Sequence, residues 1–395
     1  MDSLGIYISV PFCRSKCTYC NFASGVFPSS YMTKYVERVC DDLKAALGRF
    51  SSLPREVDTI YLGGGTPSLL PPDLLKALFG TIRERFRVTN DAEITVECAP
   101  GQLADDALSA MLECGVNRIS FGVQSFVDQE AKVTGRLHTR AVALEDIRRV
   151  QRAGIRRVNA DLIAGLPHQT AASWKESLEV LVDSGVDHAS IYMLEVDDDS
   201  RLGREVLGGG ARYYAPAIPS DDAIADMYVD AIGVLADNGL AQYEISNFAR
   251  AEAASVHNMK YWLRRPYLGL GVDAHSMLRV ESGAVVRFAA TDDLQEYLAA
   301  PGWDDLHALT RQEELEEAWF LGLRLNVGVD LRQIAAEFGR DALAPYKPIV
   351  EELAADGLLA IDADQIALTL RGRMLSNDVF ARFLDVVETP EPIAV

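Results

Sequence analysis

The sequence predicts an α/β protein built on a parallel sheet, followed by a smaller C-terminal helical domain of winged-helix-like outline. Strand-like and helix-like segments alternate over the first half, the pattern changes after about Thr291, and 395 residues exceed one comfortable core. Such alternation requires right-handed crossovers, which give a parallel sheet that is either open or curled into a barrel.

Six short apolar runs of the first half have the length of single strands. They are Gly5–Val10, Val57–Leu62, Glu93–Glu97, Arg118–Gly122, Arg157–Ile163 and Ala189–Leu194. The amphipathic stretches between them are predicted helices: Tyr31–Leu47, Pro72–Phe86, Ala104–Cys114, Thr139–Ala153 and Ala171–Ser184. A further run, Gln242–Ser246, is predicted to add an edge strand to the same sheet.

Residues Val196–Pro219 are predicted to form a long loop, because they are rich in Asp, Gly and Pro. A helix is expected after this loop, over Asp221–Asn238. The C-terminal region is predicted to hold helices and a short hairpin, at Arg311–Leu325, Asp330–Phe338, Pro348–Ala355, Leu358–Ala367 (the hairpin) and Thr369–Val387. We therefore divide the chain into residues 1–290 and residues 291–395.

The composition is ordinary for a soluble globular protein, with 49% hydrophobic and 24% charged residues. Asp and Glu outnumber Lys and Arg by 58 to 38, and a net charge of −20 disfavours nucleic acid as a partner. The basic stretch Arg148–Arg157 is predicted to be a solvated helix face that runs into a strand. No secretion signal and no run of about 20 apolar residues is present, so we expect a cytoplasmic protein without a transmembrane segment.

Three of the six cysteines, Cys13, Cys17 and Cys20, form a C-x3-C-x2-C run just after the first strand. Such clustering in a large chain indicates a metal site rather than a disulfide framework. No partner His or Cys follows at zinc spacing, and cubane clusters usually take four cysteines. Three thiolates therefore predict a [4Fe–4S] cluster with one iron open to an external ligand. The alternatives are an incomplete zinc knuckle or cysteines without a function.

Chemically active residue types follow the predicted strands, where the ligand-binding residues of a parallel barrel collect. The first strand leads into the cysteines, and the second into Gly63–Pro67, whose glycines let backbone groups approach a small ligand. The later strands end at Glu97, at Gln124 and Ser125, at Asp161 and at Glu195. Because an unpaired buried carboxylate is costly, a bound cation or hydroxyl is expected there. Each residue alone could be structural, but the six strand ends together favour a ligand site.

Over Gly5–Phe380 the chain resembles the oxygen-independent coproporphyrinogen oxidase family of radical S-adenosylmethionine (SAM) proteins. The segments that carry the resemblance are the cysteine run, Gly63–Pro67, Val96–Gly101, Gly122–Ser125, Gly135–His138 and Asn159–Pro167. The resemblance implies a partial (β/α)6 radical-SAM barrel in which SAM chelates the open iron of the cluster. It also implies SAM contacts from Tyr7, Tyr19, Gly64, Gly65, Thr66, Glu97, Gln124, Arg136 and Asp161.

The resemblance gives these residues different roles. The glycine turn would hold the amino group of SAM, Glu97 or Asp161 would bind its ribose or amine, and Arg136 would bind its charged end. Tyr19 would lie near the adenine.

Two features favour the haem-chaperone (HemW-type) subfamily. Phe22 stands two residues after Cys20, where the oxidase proper has a further cysteine and the chaperone subfamily has an aromatic residue. The segment His257–Trp262 reads HNMKYW and matches the HNxxYW signature of that subfamily. The C-terminal region also resembles the C-terminal domain of the subfamily.

The HNxxYW segment also has a physical interpretation. Histidine is the usual proximal ligand of haem iron, and aromatic faces pack on a porphyrin. With the resemblance, His257 is predicted to contact haem beside Tyr261 and Trp262. Residue types alone favour a buried histidine with both aromatic residues in the core. His275 is a second candidate ligand, in a stretch where Asp273 and Ser276 replace the glycines of the commoner subfamily sequence.

The sequence therefore predicts a haem chaperone that binds haem and a SAM-ligated [4Fe–4S] cluster and passes haem to acceptor apo-haemoproteins. The alternative is an oxygen-independent coproporphyrinogen III dehydrogenase, which would decarboxylate its substrate oxidatively to protoporphyrinogen IX. A third possibility, an enzyme that opens or methylates haem, has no distinguishing motif. Phe22 disfavours the dehydrogenase, enzymatic activity stays open, and no catalytic residue is assigned.

Overall fold

The computed structural model describes residues 3–198, 200–299, 303–384 and 386. Strands β1 to β15 cover, in order, Leu4–Val10, Glu56–Gly64, Arg87–Cys98, Arg118–Gln124, Arg157–Ala164, His188–Met193, Ala241–Gln242, Asn247–Ala249, Tyr267–Leu270, His275–Arg279, Val285–Ala289, Asp304–Ala308, Val329–Asp330, Leu359–Asp362 and Gln365–Leu368. Helices α1 to α15 cover Ser30–Arg49, Pro72–Arg85, Asp105–Glu113, Asp128–Val133, Arg140–Arg152, Ala171–Asp183, Arg201–Leu207, Asp221–Asp237, Val256–Trp262, Leu294–Ala299, Arg311–Arg324, Leu331–Phe338, Lys347–Ala355, Leu370–Met374 and Ser376–Ala381. No helix in this described part of the chain is long and apolar enough to cross a membrane.

Twelve strands form one sheet, in the order β12-β11-β10-β9-β1-β2-β3-β4-β5-β6-β8-β7. The strands from β9 through β1 to β6 are parallel, and antiparallel strands extend the sheet on both sides. Helices connect β1 to β6, and the sheet ends at β12 and β7 instead of closing. The predicted α/β fold with a partial (β/α)6 barrel is therefore confirmed.

The central strands are buried on both faces, as parallel strands covered by helices require. Ile6 and Ile8 of β1 and Leu162 of β5 have no exposed surface, and Leu43 of α1 packs into the same core. Burying a side chain of this size contributes roughly 1.5–3 kcal/mol. This core fixes the strands and therefore the positions of the residues that follow them.

Two predictions about connecting segments are wrong. The predicted loop Val196–Pro219 contains α7, because the Ser200 hydroxyl caps this helix by accepting the Gly203 N–H at 2.8 Å. Most of the predicted strand Gln242–Ser246 is the turn between β7 and β8, and those two short strands form the edge instead. Strands β9 to β11 were not predicted.

The predicted C-terminal helical domain is present. Strands β13, β15 and β14 form an antiparallel sheet, and helices α11, α12, α13 and α15 pack on a second core in which Trp319, Tyr346 and Phe383 are stacked. The division after residue 290 stays a prediction, since β12 still pairs with β11 and Trp303 belongs to the main core. Val387, at the end of the last predicted helix, and the domain end at residue 395 lie outside the described residues.

Candidate functional site

The main cavity, of about 860 Å³, lies at the carboxyl ends of β1 to β6. Its lining includes all but two of the predicted site residues. They are Cys13, Cys17, Tyr19, Cys20, Gly64, Gly65, Thr66, Glu97, Gln124, Arg136 and Asp161. Strand-end residues far apart in sequence thus share one cavity, as the barrel geometry predicts.

The three cysteines of the predicted cluster are unpaired thiols that line this cavity together. The hydroxyl of Thr66 lies 3.8 Å from the Cys13 sulfur, and Nη1 of Arg136 lies 3.5 Å from the Cys17 sulfur. Burial raises the pKa of the Cys13 thiol. Thiolate is the form of cysteine that ligates metal.

No group of three His, Cys, Asp or Glu residues surrounds a single ion centre in the part of the chain described here. Cysteine thiolates are the usual ligands of iron–sulfur clusters, and three free thiols line this one cavity. The residues present therefore fit a [4Fe–4S] cluster with one iron open to an external ligand. They would hold it as Cys13, Cys17 and Cys20, and this ligand set stays a prediction.

The glycine turn after β2 is fixed by close backbone contacts. A Cβ atom at Gly65 would lie 2.6 Å from the Val10 carbonyl oxygen and 3.1 Å from the Cys13 sulfur, so no larger residue fits. Gly64 has a φ of +95°, which glycine adopts without strain. The turn can therefore pass directly beside the cysteine loop.

Two half-buried carboxylates, Glu97 and Asp161, face the cavity. Glu97 accepts hydrogen bonds from the Tyr61 hydroxyl at 2.9 Å and from the Gly64 N–H at 3.1 Å. Burial, with the charge of Asp161 as the second cause, raises the pKa of Glu97 to about 7. Burial also raises the pKa of Asp161, although Asn159 donates to it at 2.7 Å. A cationic or hydroxyl-bearing ligand would relieve this repulsion.

Arg136 supplies a positive charge opposite these carboxylates, and Gln124 adds a further hydrogen-bond acceptor. Arg136 donates to the Gly122 carbonyl oxygen and lies beside Cys17. The Gln124 side-chain oxygen is buried without a partner among the described residues, and Gln124 has a φ of 70°. An unpaired buried amide oxygen and a left-handed backbone together suggest that a ligand completes this position.

Tyr7 lines a second cavity, of about 260 Å³, instead of the main one. Residues Gly64 and Phe22 line both cavities, so the two adjoin. The rest of its lining is Ser9, Ala23, Tyr261, Tyr267, Asp273 and His275. The SAM contact predicted for Tyr7 stays a prediction.

His257 lines neither cavity and is 1% exposed. Its Nδ1 lies 2.8 Å from the Thr59 hydroxyl, and its Nε2 lies 2.8 Å from the Tyr261 hydroxyl. Burial lowers the pKa of His257 to about 3, with Lys260 as the second cause. This arrangement is that of a buried structural histidine, the interpretation that the residue types alone favour. Its contact with haem stays a prediction, with no free nitrogen for iron in this arrangement.

Several residues of the main cavity were not predicted. Arg324 ends α11, and the segment 374–378 connects and begins the last helices, yet both line the cavity. Tyr192 and Ile245 also take part. The C-terminal domain therefore forms one wall. In the sequence, Arg324 lies within the C-terminal region that resembles the subfamily, and no local pattern around it indicates a site.

The sheet with a cysteine loop after its first strand defines a protein of the radical SAM class, and the radical SAM superfamily model matches residues 7–181. The HemN C-terminal domain model matches residues 309–375. The chain is 31% identical over 381 residues to heme chaperone HemW of Bacillus subtilis, covering 96% of this chain and 98% of that protein. It is 33% identical over 382 residues to heme chaperone HemW of Lactococcus lactis, covering 96% of each chain. The chain belongs to the HemW family.

A solved structure, coproporphyrinogen III oxidase (HemN) from Escherichia coli, superposes with a TM-score of 0.84 at 23% identity. The match covers 98% of this chain and 91% of that one. At this identity the likeness supports the fold and does not decide between oxidase and chaperone.

Proposed function

We propose that this protein is a haem chaperone that binds haem and a SAM-ligated [4Fe–4S] cluster and delivers haem to acceptor apo-haemoproteins. The similarity to two HemW proteins over 96% of this chain carries the proposal, because it includes both the cysteine half and the C-terminal domain. The main cavity supports it, since residues of both halves line that cavity.

The cluster, when bound to Cys13, Cys17 and Cys20, would supply an iron site that chelates SAM and an electron for it. The protein would orient SAM with groups of opposite charge. The Glu97 carboxylate, fixed by Tyr61 and the Gly64 N–H, would accept from the amine or ribose of SAM. Arg136 would face its carboxylate end, and Tyr19 its adenine.

We also propose that the protein works in the cytoplasm. All six cysteines are unpaired thiols, and three of them line an accessible cavity. Free thiols persist in reducing compartments and form disulfides in oxidising ones.

The oxidase is the alternative, and Phe22 supports the chaperone against it. Phe22 is 60% exposed and lines both cavities, so no thiol projects from this position beside the cluster loop. An exposed aromatic ring is an apolar contact surface for a flat ligand, and it cannot transfer a hydrogen as a thiol can.

The test uses the anaerobically reconstituted full chain. Haem titration followed by ultraviolet–visible spectroscopy should show a saturable Soret band, and incubation with an apo-haemoprotein such as apo-myoglobin should transfer that band. The same preparation given SAM, reductant and coproporphyrinogen III should form no protoporphyrinogen IX. Turnover of coproporphyrinogen without haem binding would establish the oxidase instead.

A further inference from the structure

The second cavity has the lining of a site for a flat aromatic ligand. Three tyrosines, Tyr7, Tyr261 and Tyr267, line it, and Phe22 stands at its junction with the main cavity. The rings of Tyr261 and Tyr267 meet edge to face, with centroids 4.6 Å apart. Such faces pack on planar conjugated systems.

His275 is the one histidine of the described chain that lines either cavity. Its side chain is 71% exposed, and its Nε2 lies 3.8 Å from an Asp273 carboxylate oxygen, beyond hydrogen-bond distance. The imidazole is therefore accessible to iron, and Asp273 stands where it could orient the ring, as carboxylates do for metal-bound histidines.

The other histidines are less suited to bind iron at this place. Both ring nitrogens of His257 and of His188 are within 3.0 Å of side-chain partners, and both residues are 1% exposed. His307 is paired with Glu313 at 3.0 Å. His138 and His168 lie on the lining of neither cavity.

We propose that His275 is the axial ligand of haem iron, with one edge of the macrocycle held among the tyrosines of the second cavity. The proposal rests on the haem binding proposed above and names the site for it. His257 then acts as a positioning residue. Its Nε2 is hydrogen-bonded to the hydroxyl of Tyr261, whose ring lines the cavity, and it lies behind Tyr7 with ring centroids 6.4 Å apart.

The size of the cavity suits a carrier. At about 260 Å³ it is smaller than the roughly 300–1,000 Å³ of pockets that enclose a drug-sized ligand. The cavity therefore covers an edge of the porphyrin and leaves the remainder accessible. An acceptor could engage the exposed part before the histidine–iron bond breaks.

The experiment compares haem binding by wild type, His275→Ala, His257→Ala and His307→Ala, with folding checked by circular dichroism and iron content. His275→Ala should weaken haem binding by at least about tenfold and shift the Soret band. Added imidazole should restore the wild-type band. His307→Ala, which changes an exposed histidine outside both cavities, should bind as wild type. His257→Ala should retain the wild-type band position with lower affinity or lower Tm.

A second probe is iron-free protoporphyrin IX, which needs no axial ligand. His275→Ala should bind it as tightly as wild type, because the tyrosines remain. If folded His275→Ala keeps the wild-type Soret band, or if folded His257→Ala loses it in an imidazole-restorable way, the assignment of His275 is overturned and haem binding stands. If wild type binds no haem, the proposed function itself fails.

Discussion

The guanidinium of Arg324 stacks on the indole of Trp262, with its central carbon 4.2 Å from the ring centroid. Arg324 ends α11 of the C-terminal domain, and Trp262 ends α9, which carries the HNxxYW segment. The same side chain donates through Nε to Glu244 at 2.9 Å and lines the main cavity. Arg324 thus joins the C-terminal domain to the barrel at the site itself.

Replacing Arg324 with Ala should destabilise the protein, because Glu244 has no exposed surface and would lose its cation. Breaking a buried pair from one side costs about 3–5 kcal/mol. Urea denaturation would measure the loss. Arg332→Ala removes an exposed cation on the same domain and should change the unfolding midpoint little. Equal effects of the two changes would contradict the structural role of Arg324.

Changing Cys13, Cys17 and Cys20 together to Ala should abolish the cluster, because these thiols line the main cavity together. Iron and sulfide counts after anaerobic reconstitution would measure it. The matched control changes Cys40 and Cys114, which are buried in the main core outside the cavity lining and should leave the counts unchanged. If the variant without Cys13, Cys17 and Cys20 still holds iron and sulfide at wild-type levels, these cysteines are not the ligands of the cluster.

SAM should alter the paramagnetic resonance spectrum of the reduced cluster. Glu97→Gln and Asp161→Asn should each weaken SAM binding, because each removes a negative charge that faces the cavity. We expect each change to lower SAM affinity by about tenfold, which corresponds to about 1.4 kcal/mol of binding free energy. Glu113→Gln, at an exposed position on α3, is the control. Unchanged SAM affinity in both cavity variants would mean that SAM binds elsewhere.

The raised pKa of Glu97 predicts a dependence of stability on pH. Protonated Glu97 suits its half-buried site beside Tyr61 and Asp161, and ionisation becomes costly to the folded state as pH rises towards a pKa of about 7. The Tm of wild type should therefore fall relative to that of Glu97→Gln as pH rises from about 5 to about 8. Thermal scans of both proteins at fixed salt would measure this difference. If the Tm difference between wild type and Glu97→Gln stays constant over this pH range, the pKa of Glu97 is not raised.

The barrel could be predicted from sequence because its strands are nearly continuous apolar runs with polar ends. Glu97 and Asp161 were identified by that contrast, and they share the cavity. Helix α7 was not predicted because the glycines and prolines around it are typical of a loop. The helix has only seven residues and is capped by Ser200. Local patterns do not reveal a short element that tertiary contacts stabilise.

The second cavity could not be predicted, because it depends on a strand pairing distant in sequence. Tyr7 on β1 stands beside Gly269 of β9, and β9 was not recognised. Likewise, nothing local to residues 374–378 indicates that they reach the ends of the barrel strands. The HNxxYW pattern was recognised, but only the structure shows that Thr59 and Tyr261 engage both nitrogens of its histidine.

Gly64 separates the two cavities and lines both of them. A Cβ atom there would lie 2.8 Å from the Ser9 hydroxyl, on a backbone with φ of +95°. One methyl group at this position would press on Ser9, which lines the second cavity, and would strain the turn that also lines the main cavity. A substitution at Gly64 would therefore alter both cavities, so neither candidate site can be changed through this residue without affecting the other.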